Sequence, residues 1–238
     1  MSSPFARVLA LETSTTLGGL ALLEEDEVRA KLVIRTGGAH SRRLLPLLEE
    51  LLDQEGLKPH DLHLLVASLG PGSFTGLRVG MATIKGLALA ASLPVAGASS
   101  LATLAHAAAP CNGLVAPTLD ARKGEVYAAL YRFHRGQRQT VLAEAVVPPE
   151  SWAQRVAAAA GGEPVLWLGS GARLYREALA PCSPAGSWLL GAEFESPDPA
   201  HLALLGRERA LAEGPADLAT LEPNYLRPGP VLPLNSCG

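Results

Sequence analysis

The sequence has 238 residues, with 20 basic and 23 acidic side chains and a net charge of −3. Hydrophobic residues make up 48 % and charged residues 18 %, which is ample for a packed core and below the charge of about 25 % usual in soluble domains. Disordered and collagen-like chains are excluded, and so is a strongly basic nucleic-acid binder, which needs net positive charge against a phosphate backbone.

At about 100–200 residues per domain, the length fits one large domain or two small ones. Cys111, Cys182 and Cys237 are odd in number and form no CxxC pair. A reducing, cytoplasmic setting suits them better than a disulfide framework. The apolar stretch at the N-terminus is too short for a signal peptide. Between Lys85 and Asp120 only His106 is ionisable, but Ser92, Pro94, Gly97, Ser99 and Ser100 interrupt the run. A membrane span needs about 20 continuous apolar residues, so this run predicts two buried elements and a turn.

Val8–Leu11 predicts a strand, followed by the polar turn ETSTT, a second strand GGLALLE and a third over Val28–Ile34. Ser41–Gln54 carries the apolar stripe of a helix, with Ser41 as its N-cap and Gly56 as its stop. Leu64–Leu69 is an uninterrupted apolar run, as expected of a strand buried on both faces. The turn GPGSFTG leads into a long helix from Thr75 to Ala91, then a short strand Val95–Ala98 and a helix from Ser99 or Ser100 to Ala109. The second half predicts strands at Leu114–Leu119, Glu125–Phe133 and Val165–Leu168, helices at Pro149–Ala160, Ala172–Ala180 and Pro199–Glu213, and an extended proline-rich tail.

The halves resemble each other. Leu11–Glu12 ends a strand and enters a polar turn, and Leu119–Asp120 does the same 108 residues later. LLVASLGPGS and VLWLGSGA both read as strand, glycine turn, helix. Such duplication predicts two similar α/β lobes, residues 1–105 and 106–238, the second a smaller, degenerate lobe that also carries the extended tail.

The glycine turn could bind an anion through its backbone N–H groups, but it has neither the GK[ST] of a P-loop nor the GxGxxG spacing. The alternative is a tight strand–helix turn that needs glycine. In the following helix Gly76, Gly80, Thr83, Leu87 and Ala90 share one small-residue face, on which another backbone could come close. That backbone could belong to a partner subunit or to this chain. Glu12 and Asp120, at equivalent strand ends, could act as cleft carboxylates or could cap their own turns. The histidines form no metal-ligand pattern, and no GxSxG is present. Arg35–Arg43 and the group Arg132, His134, Arg135 and Arg138 are modest basic clusters, suited at most to peripheral contact with RNA.

The start VLALETSTTLGGLALL, the block AHSRRLLPLLEELL, the long GPGSFTGLRVGMATIKG segment, the turn DARKGEVYAALY and the tail EPNYLR occur in that order. Together they closely resemble the bacterial TsaB family, also called YeaZ, over Val8–Arg227. The resemblance implies an actin-like, sugar-kinase-like ATPase fold of two RNase H-like lobes. It also implies a non-catalytic subunit of the complex that installs N6-threonylcarbamoyladenosine at position 37 of tRNAs reading ANN codons. The implied partners are the catalytic TsaD homologue and the ATPase TsaE, with a homodimer when alone and tRNA met only through the complex.

The family's pairing surface maps here onto Leu44, Leu48, Gly76, Arg78, Gly80, Thr83, Leu87 and Ala90. No catalytic residue, metal ligand or tightly bound cofactor is expected, although ATP or ADP could sit at the partner interface. Glu12, Thr13, Ser14, Gly72, Ser73 and Asp120 are the candidates for a degenerate phosphate site. Glu12 stands where the family usually has aspartate. The alternative function is an ATP-dependent sugar or acyl kinase of the same fold, which would need phosphate-binding hairpins whose glycines and lysine are missing here. A metallopeptidase lacks its ligands.

Overall fold

The computed structural model describes residues 3–35 and 40–226, without the side chains of residues 40–43. Most of the Arg35–Arg43 cluster, the Ser41 cap, Cys237 and the proline-rich tail therefore lie outside the described residues.

The first sheet is built from β1 (Arg7–Glu12), β2 (Leu17–Glu24), β3 (Glu27–Arg35), β4 (Leu64–Ser68) and β5 (Val95–Ala98), in the order β3-β2-β1-β4-β5. The first three strands form an antiparallel meander, and β4 and β5 add in parallel. The second sheet contains β6 (Gly113–Arg122), β7 (Glu125–His134), β8 (Gln137–Val147), β9 (Val165–Leu168) and β10 (Trp188–Leu189). Its order, β10-β9-β6-β7-β8, is the same pattern read from the opposite edge. The predicted duplication is thus visible strand for strand.

Helices α1 (His40–Gln54) and α2 (Phe74–Ala91) cover the outer face of the first sheet. Their apolar sides meet Leu9, Leu11, Leu20 and Leu22. The alternate residues Val8 and Ala10 face the other way, as strand alternation requires. There they meet α3 (Ser100–Ala105) and α7 (Pro199–Glu213), in a layer that also receives Leu119, Ala129 and Phe133 of the second sheet. The outer face of that sheet buries Trp152 of α4 (Pro149–Ala160) against Val126, Leu130 and Trp167.

Four differences from expectation have local causes. β8 is not among the predicted strands. Arg135 and Gly136, at φ 51° and 78°, form the two-residue left-handed turn that pairs His134 with Gln137. As an edge strand with a polar start, β8 shows little apolar alternation. The expected helix over 172–180 is two short ones, α5 (Ser170–Leu174) and α6 (Arg176–Leu179). The helix after Ser99 ends at Ala105 and tightens into a turn over His106–Ala108. Finally, α7 lies far along the chain yet packs on β1, β2, β4 and β5 of the first sheet. The two sheets thus follow one another along the chain, β5 ending at Ala98 and β6 starting at Gly113, but the helices that cover them are not divided in that way. No helix among the described residues is long and apolar enough to cross a membrane.

The α7 contact depends on Gly206, where an added Cβ would overlap the methyl groups of Val66 at the centre of the sheet. Gly206→Ala should lower unfolding free energy by about 1–3 kcal/mol in urea titrations through overpacking, against the gain of up to about 1 kcal/mol that alanine brings to an exposed helix.

Candidate functional site

A cleft of about 1030 Å³ opens between the two sheets at the ends of β1 and β6. Ser14, Thr15, Gly72, Ser73 and Phe74 line it on one side, and Asp120, Arg122, Lys123, Arg173 and Arg176 on the other. Thr15 Oγ1 reaches Ser196 Oγ at 3.2 Å, and Arg173 pairs with Glu195 at 2.9 Å. Of the six candidate phosphate-site residues, Ser14, Gly72, Ser73 and Asp120 border this cleft, whereas Glu12 and Thr13 do not.

The glycine loop is filled by the chain's own backbone. A Cβ on Gly72 would overlap the Ser14 carbonyl, and one on Gly76 the Thr13 carbonyl. The Ser73 N–H donates to Ser14 O at 2.7 Å, and the Ser73 hydroxyl caps α2 by accepting from Gly76 N–H at 3.2 Å. Two of the donors that an anion would use at a helix N-terminus, the N–H groups of Ser73 and Gly76, are thus engaged within the chain. The second lobe repeats the contact: Gly169 and Gly171 lie against the backbone of Thr118 and Leu119.

The two carboxylates are also used in matching ways. Glu12 Oε1 accepts the Ser14 N–H at 2.6 Å, and Asp120 Oδ1 accepts the Arg122 N–H at 2.8 Å. Each caps the turn two residues on, which is the second of the two roles open to them in the sequence. Their surroundings differ. Asp120 stands at the cleft with Arg122 beside it at 3.6 Å. Glu12 is 1 % exposed, and its Oε2 has no hydrogen-bond partner. Burial pushes its carboxyl up to about 7, against the opposing pull of the hydroxyls and N–H groups of Ser14, Ser68 and Thr13.

The small-residue face of α2 requires a correction. Gly76 and Gly80 are notched for this chain, because Thr13 occupies the space that a Cβ on Gly80 would need. Leu44 and Leu48 are likewise buried in their own core, at 2 % and 4 % exposure. Thr83 and Leu87 are half-buried, and Arg78 and Ala90 are exposed. The spacing signals a close backbone approach but cannot say whose backbone approaches.

The face of α2 that is open includes Thr75, Ala82, Gly86 and Leu89, which fall within about 60° of one another on a helical projection. Leu89 is 71 % exposed, and Leu45 on neighbouring α1 is 48 % exposed. Neither leucine is among the pairing residues expected from the sequence; the signal available is a helix apolar on nearly all sides. At the cleft end of this face, Arg78 lies 3.9 Å over the Phe74 ring, and Phe74 and Tyr225 are 5.0 Å apart. Among the described residues no group of three or more His, Cys, Asp or Glu could hold a metal ion.

Two duplicated lobes of this topology, with a cleft at their strand ends, define an actin-like ATPase fold. Component A of (R)-2-hydroxyglutaryl-CoA dehydratase from Acidaminococcus fermentans shares it, with a TM-score of 0.53 over 86 % of this chain and 99 % of that one, at 14 % identity. YeaZ from Pseudomonas aeruginosa is much more similar: TM-score 0.80, 31 % identity, 93 % of this chain and 100 % of that one. The family described as "TsaD: tRNA N6-adenosine threonylcarbamoyltransferase" matches residues 34–178. The tRNA threonylcarbamoyladenosine biosynthesis protein TsaB of Bacillus subtilis is 34 % identical over 92 % of this chain and 93 % of its own length. That of Escherichia coli is 40 % identical over 60 % of this chain and 63 % of its own length. The chain belongs to the TsaB (YeaZ) family.

The Glu12 carboxyl makes stability depend on pH. Its folded pKa lies above the ordinary value of 4.5, so the native state retains a proton that the unfolded state has lost. The associated stability is complete below pH 4.5, falls as pH rises towards 7 and is gone above that, a change on the order of 3 kcal/mol. Burial holds His106 down to about 4 and His201 in the same direction, which gives an opposing slope between pH 4 and 6.5. Subtracting the unfolding free energies of Glu12→Gln from those of the wild type at each pH isolates the carboxyl. The difference should fall across pH 4.5–7.5 and then level off.

Proposed function

We propose that this chain is a non-catalytic subunit of the machinery that makes N6-threonylcarbamoyladenosine at position 37 of tRNAs reading ANN codons. It acts in the cytoplasm by docking on the catalytic TsaD homologue, with the ATPase TsaE as a further partner and tRNA met through the complex. The names carried by its B. subtilis and E. coli relatives support the pathway. The observation that carries the mode of action is the open face of α2. An exposed row of small residues ending in Leu89, beside exposed Leu45, suits the close approach of a partner's helices. Alone, the same face would pair two copies of the chain.

The interlobe residues support a subunit that leaves the chemistry to its partner. The glycine loop is filled by Thr13 and Ser14, and both strand-end carboxylates cap their own turns. No tightly bound cofactor belongs to this reading; ATP or ADP would sit at the partner interface. Residues 1–105 carry the docking helices in this scheme, and residues 106–238 supply the second lobe together with the helix that returns to the first sheet.

Gly86 gives a clean test, because an added Cβ there meets nothing within 4 Å. Gly86→Arg should leave stability within about 1 kcal/mol of the wild type, since exposed positions tolerate change and arginine favours a helix over glycine. It should abolish co-elution with the TsaD homologue on size-exclusion chromatography and lose the modified adenosine in a reconstituted reaction. Undiminished co-elution would place the docking surface elsewhere. Calorimetric titration of the isolated chain with ATP and magnesium should show no tight binding; tight binding with phosphate release would favour a kinase-like activity instead.

A further inference from the structure

We propose that Glu12 is a proton-operated latch: neutral, it clamps the β1–β2 turn onto the glycine loop, and ionised, it lets that loop and the first turn of α2 loosen. Three hydrogen bonds connect the buried carboxyl to the helix. Ser14 N–H donates to Glu12 Oε1 at 2.6 Å. Ser73 N–H donates to the carbonyl of the same Ser14 at 2.7 Å. Gly76 N–H, in the first turn of α2, donates to Ser73 Oγ at 3.2 Å. Thr13, between the two residues of this turn, is the side chain seated in the notch at Gly80. Residues 12–14 are therefore the peg that joins the interlobe cleft to the helix with the open face.

Glu12 shares the strand face of Val8 and Ala10 and looks into the apolar layer between the sheets. The elements around it bring few charges. β2 brings Gly19 opposite it. β4 and α3 bring Ser68 and Ser100, whose hydroxyls lie 2.9 Å apart. The ionisable groups that α3 and α7 add to this layer are engaged elsewhere. His106, in the turn that follows α3, and His201 meet edge to face with ring centroids 5.1 Å apart. Arg207 pairs with Asp26, and Arg209 with Glu213. Asp198, just before α7, pairs with Lys31 of β3. The cleft side, beyond Ser14, contributes Asp120 with Arg122 beside it, Arg173 paired with Glu195, and Arg35, Lys123 and Arg176.

In the neutral form the carboxyl carries its hydrogen on the otherwise unpartnered Oε2 and brings no charge into the apolar layer. Ionisation sends that proton to solvent; the carboxylate holds the Ser14 N–H more strongly, but the charge is left in an apolar layer where, among the described residues, no cation is ion-paired to it, and this burial outweighs the gain. Such a charge is stabilised only by water. The nearest route for water is the turn itself, because Ser14 borders the cleft. Admitting water there breaks the Ser14 contacts that hold the loop.

The latch is a property of the chain by itself, so its test does not need the TsaD homologue and stands or falls apart from the docking reading. Hydrogen exchange of the Ser14 and Ser73 amides, corrected for the intrinsic rate, is followed from pH 6 to 8.5. Protection should fall about tenfold in the wild type, the equivalent of one pKa unit, and stay level in Glu12→Gln. Constant protection in the wild type, or an equal fall in Glu12→Gln, would overturn the latch. Should the variant not fold, carboxyl-13C glutamate labelling of the wild type decides the matter by NMR. The Glu12 carbon should titrate between pH 6 and 8, and a carbon already ionised at pH 6 rules the latch out.

Discussion

The molecule is organised around one close approach, that of the β1–β2 turn to the glycine loop before α2. Backbone carbonyls of Thr13 and Ser14 occupy the positions that side chains at Gly72 and Gly76 would take. Only glycine permits this, and the result is fixed from both sides: the turn is held down by Glu12 and the loop by the cap at Ser73. The contact has two effects at once. It engages the N–H groups of Ser73 and Gly76 within the chain, and it sets the rotation of α2. With Leu77, Met81, Ile84 and Ala88 turned to the core, Thr75, Ala82, Gly86 and Leu89 are left facing outward.

The second lobe keeps this device but not its outcome. Gly169 and Gly171 pack on the end of β6 as Gly72 and Gly76 pack on β1, and Asp120 caps its turn as Glu12 does. The helices beyond the turns differ, because the long α2 is matched only by the short α5 and α6. A long helix can present a continuous outer face; two short ones cannot. The two lobes share the strand-and-turn framework, and the asymmetry between them lies in the helix after the glycine loop.

The framework is largely legible in the sequence. Buried strands such as Leu64–Ser68 announce themselves as apolar runs, and the glycine turn before α2 and the serine pair Ser99–Ser100 before α3 mark the helix starts. β8 is hidden because an edge strand needs little apolar alternation. The glycine notch is legible as a close approach but not in its direction, since the spacing of Gly76 and Gly80 is the same for a partner's backbone and for Thr13. The environment of Glu12 is not legible at all. The hydroxyl-rich run after it reads as a solvated turn, and its burial arises only when β4, α3 and α7 close over it. Nor does chain order reveal that α7 belongs to the first sheet: its buried residues, among them Leu202, Ala203, Leu205 and Ala210, lie on several sides, as they must for a helix wedged between two sheets.

That placement of α7 bears on how the chain is assembled during synthesis. The inner face of the first sheet is complete only when residues 199–213 arrive, after the whole second sheet has left the ribosome. Until then Val8, Ala10 and Val66 lack the helix that shields them. Through synthesis of the second sheet, that apolar face of the first is left without one of its two covering helices.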